Sequence, residues 1–162
     1  GEAMLVPTDK FEQLYSWVSE DSGGLSCSVV IFVAPDCDSV CACRILTTLL
    51  KANFIQYFMK PVASYEDLLQ ATEKLDNEDI RSIFMLNCGA VVDLTQMLEL
   101  REGVSVYVLD SHRPYHLSNV HALNVFLLGT ERQEDMPPKP AASDEEAEDL
   151  EMEESDEESD DD

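Results

Sequence analysis

The chain has 162 residues, with 34 acidic against 10 basic side chains and a net charge of −24. No apolar run approaches the ~18 residues of a membrane-spanning helix. The start lacks the basic and hydrophobic regions of a signal peptide, and no Lys/Arg cluster offers a track for a nucleic-acid backbone.

The charge is uneven. From Ser143 to Asp162 there are 14 acidic residues and no basic one, which leaves 20 acidic and 10 basic residues for the rest. That tail cannot bury enough apolar surface to fold, so it reads as disordered. Pro137-Pro138-Lys139-Pro140 is a linker ahead of it. Gly1-Glu2-Ala3 before Met4 reads as a cloning scar. The expected organisation is one α/β domain over residues 4–135 and a linker with an acidic tail over 136–162.

In chain order, Phe11, Leu14, Tyr15 and Val18 recur at helical spacing, and Gly23-Gly24 ends the pattern. Val29 to Val33 is a continuous apolar run of the kind buried on both faces of a parallel sheet. Ala34-Pro35-Asp36 breaks it, and a helix is expected over Val40 to Leu50 with Asp38 or Ser39 as its cap. Asn53 to Met59 reads as a strand. Ser64 caps the next helix, with Asp67 in the capping-box position. Ser82 to Leu86 is a strand, broken by Asn87-Cys88-Gly89. A helix over Val91 to Leu98, a strand over Val104 to Leu109 and a fifth strand within Ala122 to Leu128 complete the pattern. The alternation predicts a doubly wound, mostly parallel sheet flanked by helices.

Five cysteines, an odd number without C-x-x-C spacing, point to a reducing compartment and away from structural zinc. Cys37 and Cys41, one helical turn apart, read as small core residues.

Parallel α/β sheets bind ligands just beyond the carboxyl ends of their strands. Three such ends carry polar groups here: Asp36 and Asp38; Asn87, Cys88 and Gly89; Asp110, Ser111 and His112. Carboxylates with a histidine are the ligand types of two-metal phosphoester hydrolases. Each also has a local reading. The aspartates 36 and 38 shape a turn and cap a helix. Asn87 and Gly89 make a tight turn. Asp110 and His112 pair with each other or with Arg113.

The run Phe32-Val33-Ala34-Pro35-Asp36-Cys37-Asp38-Ser39-Val40-Cys41-Ala42-Cys43, the run Leu86 to Leu94, and Asp110-Ser111-His112-Arg113-Pro114 together resemble the DHH phosphoesterase superfamily, which includes RecJ-type exonucleases. Within it they are most similar to the N-terminal lobe of the cell division cycle 45 family of eukaryotic replication factors. The resemblance implies a Rossmann-type lobe with a degenerate site. Active members of the superfamily carry His or Asp where this chain has Ala34. They usually carry Gly at Ser39, Asp at Asn87 and His at Ser111. The resemblance therefore implies no metal, no cofactor and no catalysis, with Asp36, Asp38, Asn87, Asp110, Ser111 and His112 as a vestigial site. It implies a nuclear scaffold that associates with the minichromosome maintenance hexamer, the GINS complex and replication loading factors. A residual metal-dependent phosphoesterase and a single-stranded DNA-binding module are the alternatives. In the tail, Ser143, Ser155 and Ser159 each have acidic residues at the next position and three residues on, which suits a casein-kinase-type enzyme.

Overall fold

In the computed structural model, residues 5–24, 27–75, 78–99 and 103–129 are described. The expected scar, the linker, the acidic tail and its three serines lie outside them.

Six strands form one sheet: β1 (Leu5–Val6), β2 (Val29–Val33), β3 (Tyr57–Pro61), β4 (Ser82–Leu86), β5 (Ser105–Leu109) and β6 (Val125–Leu128). Their order is β1-β6-β5-β4-β2-β3, and every pairing is parallel. The apolar run Val29 to Val33 is buried at every position because both faces are covered. Val29, Ile31 and Val33 enter one core with α1 (Phe11–Asp21) and α2 (Cys37–Ala52). Val30 and Phe32 enter the other, with α3 (Tyr65–Glu73), α4 (Leu94–Leu98) and α5 (Leu117–His121). The alternation follows from the two-residue period of a strand. One row of register partners in the first core stacks its rings: Phe84 on Tyr107 at 5.0 Å and Tyr107 on Phe126 at 5.3 Å. Such pairs add about 0.5–1.5 kcal/mol each beyond the area they bury.

Several expected boundaries move. The second helix begins three residues early, at Cys37, because Asp36 rather than Asp38 or Ser39 is its cap. The strand expected over Asn53 to Met59 starts at Tyr57, since Asn53 closes α2 and Phe54 takes a positive φ of 57°. The helix expected from Val91 starts at Leu94, where Asp93 accepts the Gln96 N–H. Cys37 and Cys41 are exposed rather than core. The buried stripe of α2 runs instead through Ser39, Cys43, Leu46, Thr47 and Leu50. The Ser64 cap stands as expected, accepting the Asp67 N–H at 3.1 Å.

The sheet order positions the site. The chain leaves β2 through α2 toward β3, and leaves β4 through α4 toward β5, on opposite sides. The topological switch point is therefore between β2 and β4, the place where open α/β sheets form a crevice. The residues at those two strand ends lead into Asp36 and Asn87.

Candidate functional site

Asp36 caps α2 from extended backbone, φ −124° and ψ 164°. Its Oδ1 accepts the Ser39 N–H at 2.8 Å, and its Oδ2 accepts the Ser39 hydroxyl at 2.6 Å. The same Oδ2 accepts from Asn87 Nδ2 at 2.9 Å. Asn87 sits in left-handed backbone, φ 54°, a conformation asparagine tolerates better than most residues. Its Oδ1 accepts from Ser111 twice, from the hydroxyl at 2.8 Å and from the N–H at 3.2 Å. The amide thus faces a carboxylate with its nitrogen and two donors with its oxygen. This chain of bonds ties the ends of β2, β4 and β5 together across the switch point. The Asn87 amide first, and then Ser39, lower the Asp36 carboxyl from 3.8 to about 2, so it is an anion throughout the physiological range.

Asp110 is the buried member, with a side chain only 1% exposed. Its Oδ2 accepts the Ala90 N–H at 2.9 Å. Its Oδ1 accepts the His112 N–H at 3.0 Å and meets His112 Nδ1 at 2.6 Å. The Nδ1–H tautomer satisfies that contact and leaves Nε2 of the exposed ring facing outward. Asp110 therefore braces two loops and orients a histidine. Asp38 is exposed on the first turn of α2. With Ser39, Asn87, Asp110 and Ser111 it lines a cavity of about 200 Å³. Asn87 and Asp110 also border a larger cleft of about 450 Å³, walled by Pro35, Val62, Tyr65 and Val91 and reached by His112. Among the described residues no lysine or arginine lines either cavity.

The structure thus brings Asp36, Asp38, Asn87, Asp110, Ser111 and His112 to one edge of the sheet. They do not fit a pair of divalent cations. A carboxylate bridging two metals would present an oxygen where Asn87 presents an N–H donor, and Asp110 already accepts the Ala90 and His112 N–H groups and meets the His112 ring. Among the described residues no group of three or more His, Cys, Asp or Glu side chains converges for a metal. Cys88, beside the site, is no nucleophile: burial, then the Asp110 charge, push its thiol up to about 12. With a thiol-reactive probe, the exposed Cys37 and Cys41 are expected to label before the buried Cys43 and before the half-buried Cys88, whose thiol is raised. Fragmentation of the labelled tryptic peptides reads this, since Cys37, Cys41 and Cys43 share the single peptide 11–44. Labelling of Cys88 as fast as that of Cys41 would overturn that order.

One supporting residue escaped the sequence reading. Asn119 of α5 is fully buried. Its Oδ1 accepts the Leu94 N–H at 3.0 Å, and its Nδ2 donates to Val92 O at 2.7 Å and to Gly89 O and Ala90 O at 3.3 Å. It holds the loop that carries the Asp110 partner, Ala90. Gly89 in that loop needs its φ of +90°, and a Cβ there would meet Leu94 and Met85 side chains at 3.3 Å. The signal for the loop was present: Asp93-x-x-Gln96 is a capping-box pattern that marks Leu94 as the helix start. Nothing local marks Asn119.

A family model described as CDC45 matches residues 29–162. The chain belongs to the CDC45 family. It is 45% identical over 123 residues to the cell division control protein 45 homolog of Schizosaccharomyces pombe, covering 75% of this chain and 19% of that protein. It is 44% identical over 120 residues to the homolog of Dictyostelium discoideum, covering 72% and 18%. The CDC45 crystal structure from Entamoeba histolytica superposes with a TM-score of 0.70 at 25% identity, covering 80% of this chain and 26% of that one. The chain thus spans about a fifth of the length of the CDC45 relatives it matches.

Proposed function

We propose that this chain is a non-catalytic scaffold lobe of a nuclear DNA replication factor, one that joins the minichromosome maintenance hexamer and the GINS complex in the replicative helicase. Membership of the CDC45 family supports the replication role. The partners rest on the resemblance of the lobe to that replication factor. The absence of catalysis rests on one observation, the Asn87 amide that donates to Asp36 and accepts from Ser111. In a two-metal hydrolase the corresponding groups hold cations that activate water. Here the same edge is closed by its own hydrogen bonds, with one carboxylate kept ionised and the other braced.

The purified chain, given Mg²⁺ or Mn²⁺ and a single-stranded oligonucleotide, is expected to release no nucleotide. Turnover that disappears in Asp38→Ala would defeat the non-catalytic reading. In a pull-down with separately purified helicase and GINS subunits, retention on at least one of them is the expected result. Retention on neither would defeat the scaffold reading.

A further inference from the structure

Among the described residues α3, α4 and α5 lie on one face of the sheet and α1 and α2 on the other. On the face of α1 and α2 the cavity beside Asp38 and Ser111 shares Ala42, Leu86 and Leu109 with a second cavity of about 180 Å³. The second is apolar, bounded by Phe11 of α1 and by Ala42, Ile45 and Leu49 of α2, with Leu86 and Leu109 beneath. One groove therefore runs from the polar strand ends down between the two helices. Along α2 it follows Asp38, Ala42, Ile45 and Leu49, spaced four, three and four residues apart. That spacing is the repeat of a helix-packing seam. It spans roughly 16 Å at the rise of an α-helix, three turns. Ile45 is 64% and Leu49 39% exposed, so that half of the seam is uncovered among the described residues, while Ala42 packs against the core. An apolar seam with one charged end is not the pattern of an ordinary solvated helix face.

We propose that this groove seats an amphipathic helix of a partner polypeptide, apolar along one stripe and carrying Lys or Arg at the end that reaches Asp38. Charge complementarity selects the occupant. Asp38 is exposed at the polar end, Asp110 lines the same cavity, and among the described residues no lysine or arginine lines either cavity. The acidic run from Ser143 to Asp162, with 14 carboxylates and no cation, is repelled from that end, and a second copy with a net charge of −24 is repelled as a whole. A helix running antiparallel to α2 places its C-terminal turn at Asp38, where basic residues also suit its own dipole. This docking stands apart from the helicase partners proposed above.

The test uses the full 162-residue chain and a fluorescent helical peptide of about 14 residues, roughly four turns. The peptide carries a leucine stripe and two C-terminal arginines, and its control carries two glutamates instead. The arginine peptide is expected to bind about tenfold more tightly at low salt, with the margin shrinking as salt rises. Ile45→Glu and Leu49→Glu should each abolish binding without lowering the melting temperature, and Asp38→Lys should invert the preference between the peptides. No binding of either peptide, equal binding of both, or binding indifferent to Ile45→Glu overturns the proposal. A full-length CDC45 chain that excludes the peptide while this one takes it would assign the groove to the chain's own continuation, and would overturn the partner as occupant.

Discussion

Replacing Asn119 with leucine is expected to destabilise the domain by about 3 kcal/mol, because a shape-matched apolar side chain leaves buried backbone groups without partners. The Leu94 N–H loses its bond to the amide oxygen, and Val92 O loses the 2.7 Å bond from the amide nitrogen. Gly89 O and Ala90 O lose longer bonds from the same amide. For a domain of this size the loss corresponds to a melting temperature lower by roughly 10 °C. The effect should reach the candidate site, since the loop that Asn119 holds also supplies the Ala90 N–H to Asp110. Thermal denaturation followed by circular dichroism measures the first part. Amide exchange at Ala90 measures the second. A drop of only a degree or two would show that water enters and satisfies the freed groups.

Asn87→Asp should have the second large effect, and its sign should change with pH. The substitution exchanges an N–H donor 2.9 Å from Asp36 Oδ2 for a carboxylate oxygen. In the parent chain Asp36 has a folded pKa of about 2, below its ordinary 3.8, and Asn87 is the first cause. Its contribution is therefore present above the ordinary value and lost as pH falls through about 2. In the variant the two carboxylates repel at neutral pH, and acidification through the ordinary carboxylate range relieves them because a close pair shares a proton. The variant should melt several degrees below the parent at pH 7 and close that gap near pH 4. The new pair also offers oxygen ligands to a hard cation, so millimolar Mn²⁺ should raise the variant's melting temperature at pH 7 and leave the parent's unchanged. A gap that is the same at both pH values, with no response to Mn²⁺, would mean that the residue 87 side chain turns away from Asp36.

The two substitutions also mark how far the sequence reaches. Strands β2 and β4 were legible to the residue, as Val29–Val33 and Ser82–Leu86, because a run buried on both faces is nearly continuously apolar, Ser82 excepted, and stops where a turn residue stands. The cap at Ser64 was legible because its partner, Asp67, lies three residues away. The six polar groups of the site were nameable because each stands at the end of a predicted strand. Their local roles were left open among turn, cap and ligand.

The two-residue strand β1 was out of reach. Leu5 and Val6 are a strand only because they lie beside Leu127 and Leu128 in the folded sheet. The five-residue α5 carries too little periodicity to be told from a loop, and Asn119 within it is an ordinary polar residue until the β4 loop folds over it. The exposure of Cys37 and Cys41 depended on which face of α2 meets the sheet, the stripe through Ser39, Cys43, Leu46, Thr47 and Leu50.

By itself, then, the sequence determined the alternation of strands and helices, the acidic surface and the polar groups at the strand ends. Those follow from interactions between residues a few positions apart. Which of the polar groups meet was decided by the order of the sheet. Asn87 and Asp36 are 51 residues apart, and Asn87 and Ser111 are 24 apart. Only the parallel pairing of β2 with β4 and of β4 with β5 brings them within bonding distance, and that pairing is a property of the buried core as a whole.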